Sequence, residues 1–235
     1  MKKNILEMVL LFLAFYLPGY LWPNQDIIQN STSLGPYMLQ FLVMAVPQIL
    51  LLLYVLKLRC ESSGANLKDG WTSFGLLALR PVDLLYALVI FAGIFVLLLI
   101  MGLILALLPA GGEALFSEGF RWKLSDPRLI PVVLLFCLVT GYREELFFRS
   151  YLLTRFSQFS LPTVVGIGMS TLLFAGGHVY QGLAGFAVAV IQGLYFSVLF
   201  IRLKNIHPLA IAHGLYNTTV LIVTLFVDSG LPVQP

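Results

Sequence analysis

The sequence predicts an all-α membrane protein, a polytopic bundle of about seven transmembrane helices. Of its 235 residues, 59% are hydrophobic and only 11% are charged, whereas soluble domains are roughly 45–50% apolar and about 25% charged. The mean hydropathy is +0.93, so too few polar residues remain to cover a soluble core, and the surplus apolar surface must face lipid. The hydrophobic runs also have the length of about 20 residues that a helix needs to cross a bilayer.

Seven hydrophobic runs are long enough to form membrane helices. They cover residues 5–22, 37–56, 84–108, 129–154, 161–178, 183–201 and 208–227. We expect every run to be helical, because an open sheet would leave unpaired backbone groups in lipid and because the runs lack the alternation of a barrel strand. The lipid bilayer is therefore the first expected partner.

The distribution of charge excludes a nucleic-acid partner and indicates an orientation. The net charge is only +3, and the 14 basic residues are dispersed rather than grouped on one basic face. If the N-terminus is cytoplasmic, nine of them fall in cytoplasmic segments and three on the opposite side. Because cytoplasmic loops are enriched in Lys and Arg, we expect a cytoplasmic N-terminus. The compact length favours a bacterial plasma membrane.

The segment 109–128 and the two cysteines carry weaker signals. The segment mixes six charged residues with Phe116, Phe120 and Trp122, a pattern typical of a segment at the membrane interface. It is expected to be either a surface loop with aromatic anchors or a gate that docks substrate. Cys60 and Cys137 form neither a CxxC motif nor a disulfide framework.

The fourth run holds four ionisable residues within an otherwise apolar stretch: Arg143, Glu144, Glu145 and Arg149. Burying one isolated charge in a bilayer costs at least ~2.5–3.5 kcal/mol, so the presence of four charged residues in this run requires a structural or functional explanation. Glu145 and Arg149 are spaced to pair as i, i+4 on a helix. Glu144 is rotated roughly 100° away and is left to point into the bundle. The structural alternative is a salt-bridged helix end at the interface.

Three further polar residues lie in the later apolar runs, namely His178, His213 and Asn217. His213 and Asn217 are four residues apart and share one helix face. Polar groups in a membrane bundle normally face one another. We therefore expect Glu144, His178 and His213 to meet within ~6 Å of a common point, with Asn217 at its border.

Three motifs occur in order: Glu144-Glu145-x-x-x-Arg149, Phe174-x-x-x-His178 and His213-x-x-x-Asn217. Together they resemble the signature motifs of the CAAX prenyl protease and bacteriocin-processing (CPBP, or Abi) family of intramembrane metalloproteases. The resemblance covers about residues 129–220. It implies one membrane domain over residues 1–235, with accessory helices in 1–108 and the catalytic core in 129–227. Ser150 departs from the pattern, because that position is often Gly in the family.

The resemblance also implies site roles. Glu144 would activate a water molecule, with His178, His213 and Asn217 completing the catalytic site and with Glu145 and Arg149 supporting it. In one version Glu144, His178 and His213 bind zinc, which lowers the pKa of its water. In the other no metal takes part, and the imidazoles and Asn217 donate hydrogen bonds to the oxyanion.

The expected partner in this reaction is a peptide or protein substrate, prenylated or anchored in the membrane. A different class remains open, a membrane protein without enzymatic activity such as a transporter or a bacteriocin-immunity factor. The position of His213 along its helix also raises a difficulty. His213 lies only ~12 Å from the 203–207 turn, which is not deep enough in the membrane to reach Glu144 and His178 if all helices are straight. The sequence therefore predicts either a break or steep tilt within 183–201, or a different topology.

Overall fold

The computed structural model describes residues 2–17, 34–62, 66–107 and 123–227, and these residues form helices without any strand. We number the α-helices in chain order: α1 Lys2–Phe15, α2 Leu34–Ser62, α3 Leu67–Ser73, α4 Pro81–Ala106, α5 Ile130–Glu145, α6 Thr154–Gln158, α7 Thr163–Gly176, α8 Gly182–Leu203 and α9 His207–Val227. A π-helical segment, Leu146–Leu153, joins α5 to α6 without a break.

The predicted helical membrane architecture is confirmed. Each of the seven predicted spans coincides with a helix, the fourth with the continuous rod from α5 to α6. Within the described ranges, α2, α4, α8 and α9 are long and apolar enough to cross a membrane, whereas α1 and α7 are shorter apolar helices. The chain is therefore an integral membrane protein.

Three parts of the sequence-based prediction differ from the structure or lie outside it. The short helix α3 was not predicted, because its seven residues form no long apolar run. Residues 18–22 of the first predicted span lie outside the described residues. The same holds for most of the predicted interfacial segment, up to residue 122.

A polar network fixes the turn between α8 and α9. Asn205 donates to Asp83 Oδ1 at the start of α4 (2.9 Å), and its own Oδ1 accepts from the backbone N–H of His207 (3.1 Å). The His207 ring bonds to the Tyr142 hydroxyl through Nδ1 (3.0 Å) and donates through Nε2 to the Leu77 carbonyl (2.7 Å). Because both ring nitrogens are occupied, this third histidine anchors the start of α9.

The backbones of α5 and α9 approach closely at two glycines. A Cβ on Gly141 would lie 2.5 Å from the Ala210 carbonyl oxygen and 2.9 Å from the Gly214 nitrogen. A Cβ on Gly214 would lie 2.8 Å from the Leu138 Cα. Small residues at a membrane helix interface allow such contact. The contact brings the carboxylates at the end of α5 within reach of α9.

We expect Gly141→Ala to destabilise the protein by about 1–3 kcal/mol, because the added methyl group forces α5 and α9 apart. Gly102→Ala on α4 is the matched control. Nothing lies within 4 Å of a Cβ at Gly102, and Ala is favoured over Gly in a helix by about 1 kcal/mol. Thermal unfolding in detergent should show a lower Tm only for Gly141→Ala. Equal Tm values for the two variants would contradict the close approach.

The first two helices are tied to α5 by Arg143. Its Nη2 donates to the carbonyl oxygen of Phe15 at the end of α1, and its Nε donates to Gln48 Oε1 on α2 (2.6 Å). The guanidinium lies over the Tyr16 ring at 4.3 Å, and the Tyr16 hydroxyl donates to the Arg143 carbonyl (3.1 Å). Arg143, although adjacent to Glu144, is thus engaged in holding α1 and α2.

A second connection lies near the other end of α1. Arg59 on α2 pairs with Glu7 on α1 through its Nε (2.9 Å) and Nη2. The Tyr151 hydroxyl of the π-helical segment donates to the other oxygen of the same carboxylate (2.8 Å). One carboxylate therefore joins α1, α2 and the π-helical segment.

Candidate active site

The two adjacent glutamates end α5, immediately before the π-helical segment. Consecutive residues on a helix are rotated by roughly 100°, so the side chains of Glu144 and Glu145 leave the helix in different directions. The Glu145 side chain is fully buried, and that of Glu144 is 15% exposed. One carboxylate is therefore sealed in the protein interior while its neighbour borders a more open space.

The imidazole of His213 lies between these two carboxylates. Its Nδ1 is 2.8 Å from Glu145 Oε1, and its Nε2 is 3.6 Å from Glu144 Oε2. Because a carboxylate accepts, Glu145 places the proton of the neutral ring on Nδ1 and leaves the Nε2 lone pair facing Glu144. The first and third motifs thus meet at one ring.

Glu145 also pairs with Arg149, as the i, i+4 spacing predicts. Arg149 Nη1 lies 3.1 Å from Glu145 Oε1, and both side chains are fully buried. The guanidinium is surrounded by three ring faces, those of Phe148 at 5.9 Å, Phe174 at 4.3 Å and Phe196 at 5.6 Å. No nitrogen of this guanidinium has a hydrogen-bond partner among the described residues. The ion pair and the rings therefore stabilise the buried charge together.

His178 lies just beyond α7, at the edge of the predicted fifth span. α7 ends at Gly176, and His178 precedes a single 3₁₀ turn. Its Nδ1 bonds to the Phe174 carbonyl oxygen (3.0 Å), and its ring packs on the Phe174 ring at 4.8 Å. Phe174 also contacts the His213 ring at 5.9 Å. His178 interacts electrostatically with both Glu144 and His213, so it borders the same site.

Asn217 is placed one turn after His213 on α9. Its side chain is half-buried and has no hydrogen-bond partner in the part of the chain that the structure describes. The i, i+4 relation puts it on the His213 face of the helix. Its carboxamide therefore remains available to a molecule that enters the site.

One of the three alternatives for the depth of His213 is excluded. The segment 183–201 has no break, because α8 runs unbroken from Gly182 to Leu203. Instead, the fourth span contains the π-helical segment of eight residues. Hydrogen bonds of the i→i+5 type use more residues per turn, so the carboxylates lie closer to the α6 end than a straight α-helix would place them. π-Helical turns occur frequently at functional sites.

The region that holds this site is similar to a known protein family. Residues 126–219 match the family model described as type II CAAX prenyl endopeptidase Rce1-like. The match spans α5 to α9 and includes all three motifs, so the predicted resemblance to CAAX-type proteases is confirmed. It supports an intramembrane protease of the CAAX type. No curated protein and no solved structure matched the chain.

The Rce1-like segment does not present the predicted zinc ligands in a metal-binding arrangement. Among the described residues, which include Glu144, His178 and His213, no group of three or more His, Cys, Asp or Glu side chains could hold a metal ion. The predicted zinc ligand set therefore does not fit this geometry.

One aromatic residue, Phe196, contacts the site without having been predicted. The Phe196 ring on α8 packs on the His213 ring at 5.4 Å, whereas Phe174, which packs on the rings of both His178 and His213, belongs to the second predicted motif. Aromatic residues are common in any apolar helix, so the sequence carries no specific signal for Phe196. Ser150, the departure from the family pattern, donates to the Phe74 carbonyl (2.5 Å) at the end of α3. Its hydroxyl thus joins the rod to the short helix.

Proposed function

We propose that the protein is an intramembrane endopeptidase in which Glu144 activates a water molecule for peptide-bond hydrolysis. The observation that supports this most strongly is the single imidazole of His213 between two carboxylates, 2.8 Å from Glu145 and 3.6 Å from Glu144. The substrate class that fits the family is a peptide or protein with a membrane anchor, such as a prenylated CAAX tail.

The two groups that face each other can hold a water molecule in an attacking position. Atoms 3.6 Å apart can each hydrogen-bond the same water at ~2.8 Å. The water then donates one hydrogen to Glu144 and the other to His213 Nε2, and an oxygen lone pair points away from both. A nucleophile held through its hydrogens is oriented before the substrate arrives.

The reaction follows from this placement. Glu144 accepts a proton from the water as its oxygen bonds to the carbonyl carbon, which gives a tetrahedral intermediate. The protonated Glu144 then donates that proton to the amine as the carbon–nitrogen bond breaks. The products are a new carboxyl terminus and a new amino terminus. The carboxyl group of Glu144 thus serves first as the general base and then as the general acid.

The remaining residues have distinct proposed roles. Asn217 supplies an N–H donor for the oxyanion, since its carboxamide is otherwise uncommitted. His178 donates from Nδ1 to the Phe174 carbonyl (3.0 Å), so its Nε2 can donate to substrate only when the ring is protonated. Glu145 orients His213, and Arg149 holds Glu145. These last two are positioning residues.

We further propose that the N-terminus is cytoplasmic, in a bacterial plasma membrane. The support is the excess of Lys and Arg in the segments that this orientation places in the cytoplasm. Residues 1–108 then act as accessory helices around the catalytic core, since Arg143 binds both α1 and α2.

The test is hydrolysis in isotopically labelled water. The full-length protein in lipid vesicles is incubated with prenylated and unprenylated CAAX peptides in H₂¹⁸O, and the products are analysed by mass spectrometry. Direct attack by water predicts one ¹⁸O atom in the new carboxyl terminus of the released fragment. A transporter or an immunity factor predicts no cleavage of any peptide, and that result would overturn the proposal.

A chelator arm of the same experiment tests the role of a metal. Because no group of three or more His, Cys, Asp or Glu side chains among the described residues is arranged to hold a metal ion, we expect cleavage to persist after treatment with a chelator and dialysis. Loss of cleavage that zinc restores would replace the metal-free mechanism by the zinc version while leaving the protease assignment in place.

A further inference from the structure

A tyrosine from the second helix lies beside the candidate active site. Tyr37 is in the first turn of α2, outside the segment that matches the family model. It interacts electrostatically with Glu144, with Arg143 and with Tyr180. Tyr180 lies two residues after His178, in the 3₁₀ turn that follows α7. Tyr37 therefore faces the parts of the chain that carry the first and second motifs.

Ring contacts place Tyr37 independently of these interactions. Its ring centroid lies 6.3 Å from that of Phe136 on α5 and 6.5 Å from that of Phe41, one turn later on α2. The Phe41 ring packs on the Phe136 ring at 4.9 Å, and the Arg143 guanidinium lies 5.5 Å from the Phe41 centroid. Packing therefore holds the Tyr37 ring against α5, while its hydroxyl is the group that can make polar contacts.

The level of this tyrosine along α5 shows which side of the site it borders. The neighbouring Phe41 ring meets α5 at Phe136. Seven residues further along both helices, Gln48 bonds to Arg143, so α2 and α5 run parallel. Phe136 precedes Glu144 by eight residues, which is ~12 Å along a helix. The tyrosine is therefore displaced from the catalytic carboxylate towards the start of α5.

Asn217 is displaced from the carboxylate in the same direction. α9 runs antiparallel to α5, as the two close approaches at glycines show. Asn217, three residues after Gly214, therefore lies nearer to the start of α5 than His213 does. A peptide that extends from Glu144 towards the start of α5 passes between Tyr37 on α2 and Asn217 on α9.

We propose that Tyr37 is a substrate-binding residue, whose hydroxyl forms a hydrogen bond with the main chain of the peptide bound beside Glu144. This inference rests on the proposed function and gives α2 a direct part in substrate binding. A phenol hydroxyl can donate and accept, so it can bond to a peptide N–H or to a carbonyl oxygen. An extended peptide advances about 3.3 Å per residue, so the contacted residue lies within roughly three positions of the scissile bond.

Tyr37→Phe separates this role from a structural one. The substitution removes the hydroxyl and keeps the ring that packs on Phe41 and Phe136. We expect KM to rise and kcat/KM to fall ~3–10-fold for a peptide that the wild-type protein cleaves, while the Tm stays at the wild-type value. A lower Tm with an activity loss that follows the unfolded fraction would indicate a structural role and overturn the inference.

Tyr54→Phe is the matched control, because it is the same chemical change on the same helix. Tyr54 is 57% exposed and lies 17 residues after Tyr37, which is ~25 Å further along α2. Its kcat/KM and Tm should equal the wild-type values. An equal loss of kcat/KM in both variants would show that the effect is not specific to the position beside Glu144, and would overturn the inference.

Peptide binding to the inactive Glu144→Gln variant separates substrate contact from an effect on the catalytic base. Adding Tyr37→Phe to Glu144→Gln should raise the Kd for the uncleaved peptide by the same ~3–10-fold. An unchanged Kd, together with a displaced pH profile of kcat in Tyr37→Phe alone, would mean that Tyr37 acts only through Glu144 and would overturn the substrate contact.

The same measurements distinguish failure of this inference from failure of the proposed function. If the wild-type protein cleaves no peptide, the proposed function fails and the inference fails with it. If the wild-type protein cleaves peptides and Tyr37→Phe retains the wild-type kcat/KM, only this inference fails.

Discussion

Glu144→Gln is expected to abolish peptide cleavage while the protein remains folded. Glutamine retains the shape of the side chain but does not accept a proton at neutral pH, so loss of a general base should lower kcat by at least ~100-fold. Stability should change little, because this side chain is 15% exposed and its carboxylate faces His213 at 3.6 Å without a hydrogen bond. Cleavage rates and thermal unfolding in the same detergent check both halves of the expectation.

Glu61→Gln provides the matched control for the same chemical change. Glu61 ends α2, its side chain is 47% exposed, and it pairs weakly with Lys57 at 3.8 Å. Exposed pairs of this kind contribute about 0–1 kcal/mol, so both activity and Tm should stay close to the wild-type values. Full activity in Glu144→Gln would remove Glu144 from the site and leave the proposed mechanism without its base.

Arg149→Met should strongly destabilise the protein. The substitution removes the cation that pairs with the buried Glu145 carboxylate and leaves it only the hydrogen bond to His213, and breaking a buried ion pair in this way costs about 3–5 kcal/mol. The three ring faces around the guanidinium offer no hydrogen-bond donor to replace it. Chemical unfolding in detergent, compared with the wild-type protein, measures the loss.

The double variant Glu145→Gln/Arg149→Met distinguishes pairing from packing. With both charges removed, much of the lost stability should return, since replacing a buried ion pair by uncharged residues is often neutral. Activity should remain ~10-fold or more below the wild-type level, because an amide holds the His213 tautomer less firmly than a carboxylate does. A double variant as unstable as Arg149→Met would indicate that packing of the guanidinium, rather than its charge, stabilises this region.

Hydropathy was sufficient to predict the membrane helices because length and apolar content decide whether a segment can cross a bilayer. Hydropathy did not predict the elements that depend on local capping or on the type of helix. The short helix α3 begins with an Asn66 cap that accepts from Asp69 N–H, a local signal without an apolar run. The π-helical segment Leu146–Leu153 packs against Phe12 of α1 and Phe174 of α7, and no periodicity within 146–153 predicts this change of helix type.

Part of the candidate site could be predicted because burying a charged side chain in an apolar membrane helix costs free energy. That cost identified Glu144, Glu145 and Arg149, and the i, i+4 spacing predicted the ion pair that the structure forms. It did not reveal which carboxylate meets which nitrogen of His213, because that depends on how closely Gly141 and Gly214 allow two backbones to approach.

The hydrogen bonds of Arg143 show that residues 126–219, which match the family model, are not a self-contained structural unit. The family match begins at residue 126, yet a guanidinium inside it has acceptors at Phe15 and Gln48. A transplanted C-terminal half would carry this cation into a new protein without its acceptors. A substitution at Gln48 in α2 therefore removes an acceptor from Arg143, the residue next to Glu144, so changes in the first two helices reach the candidate site.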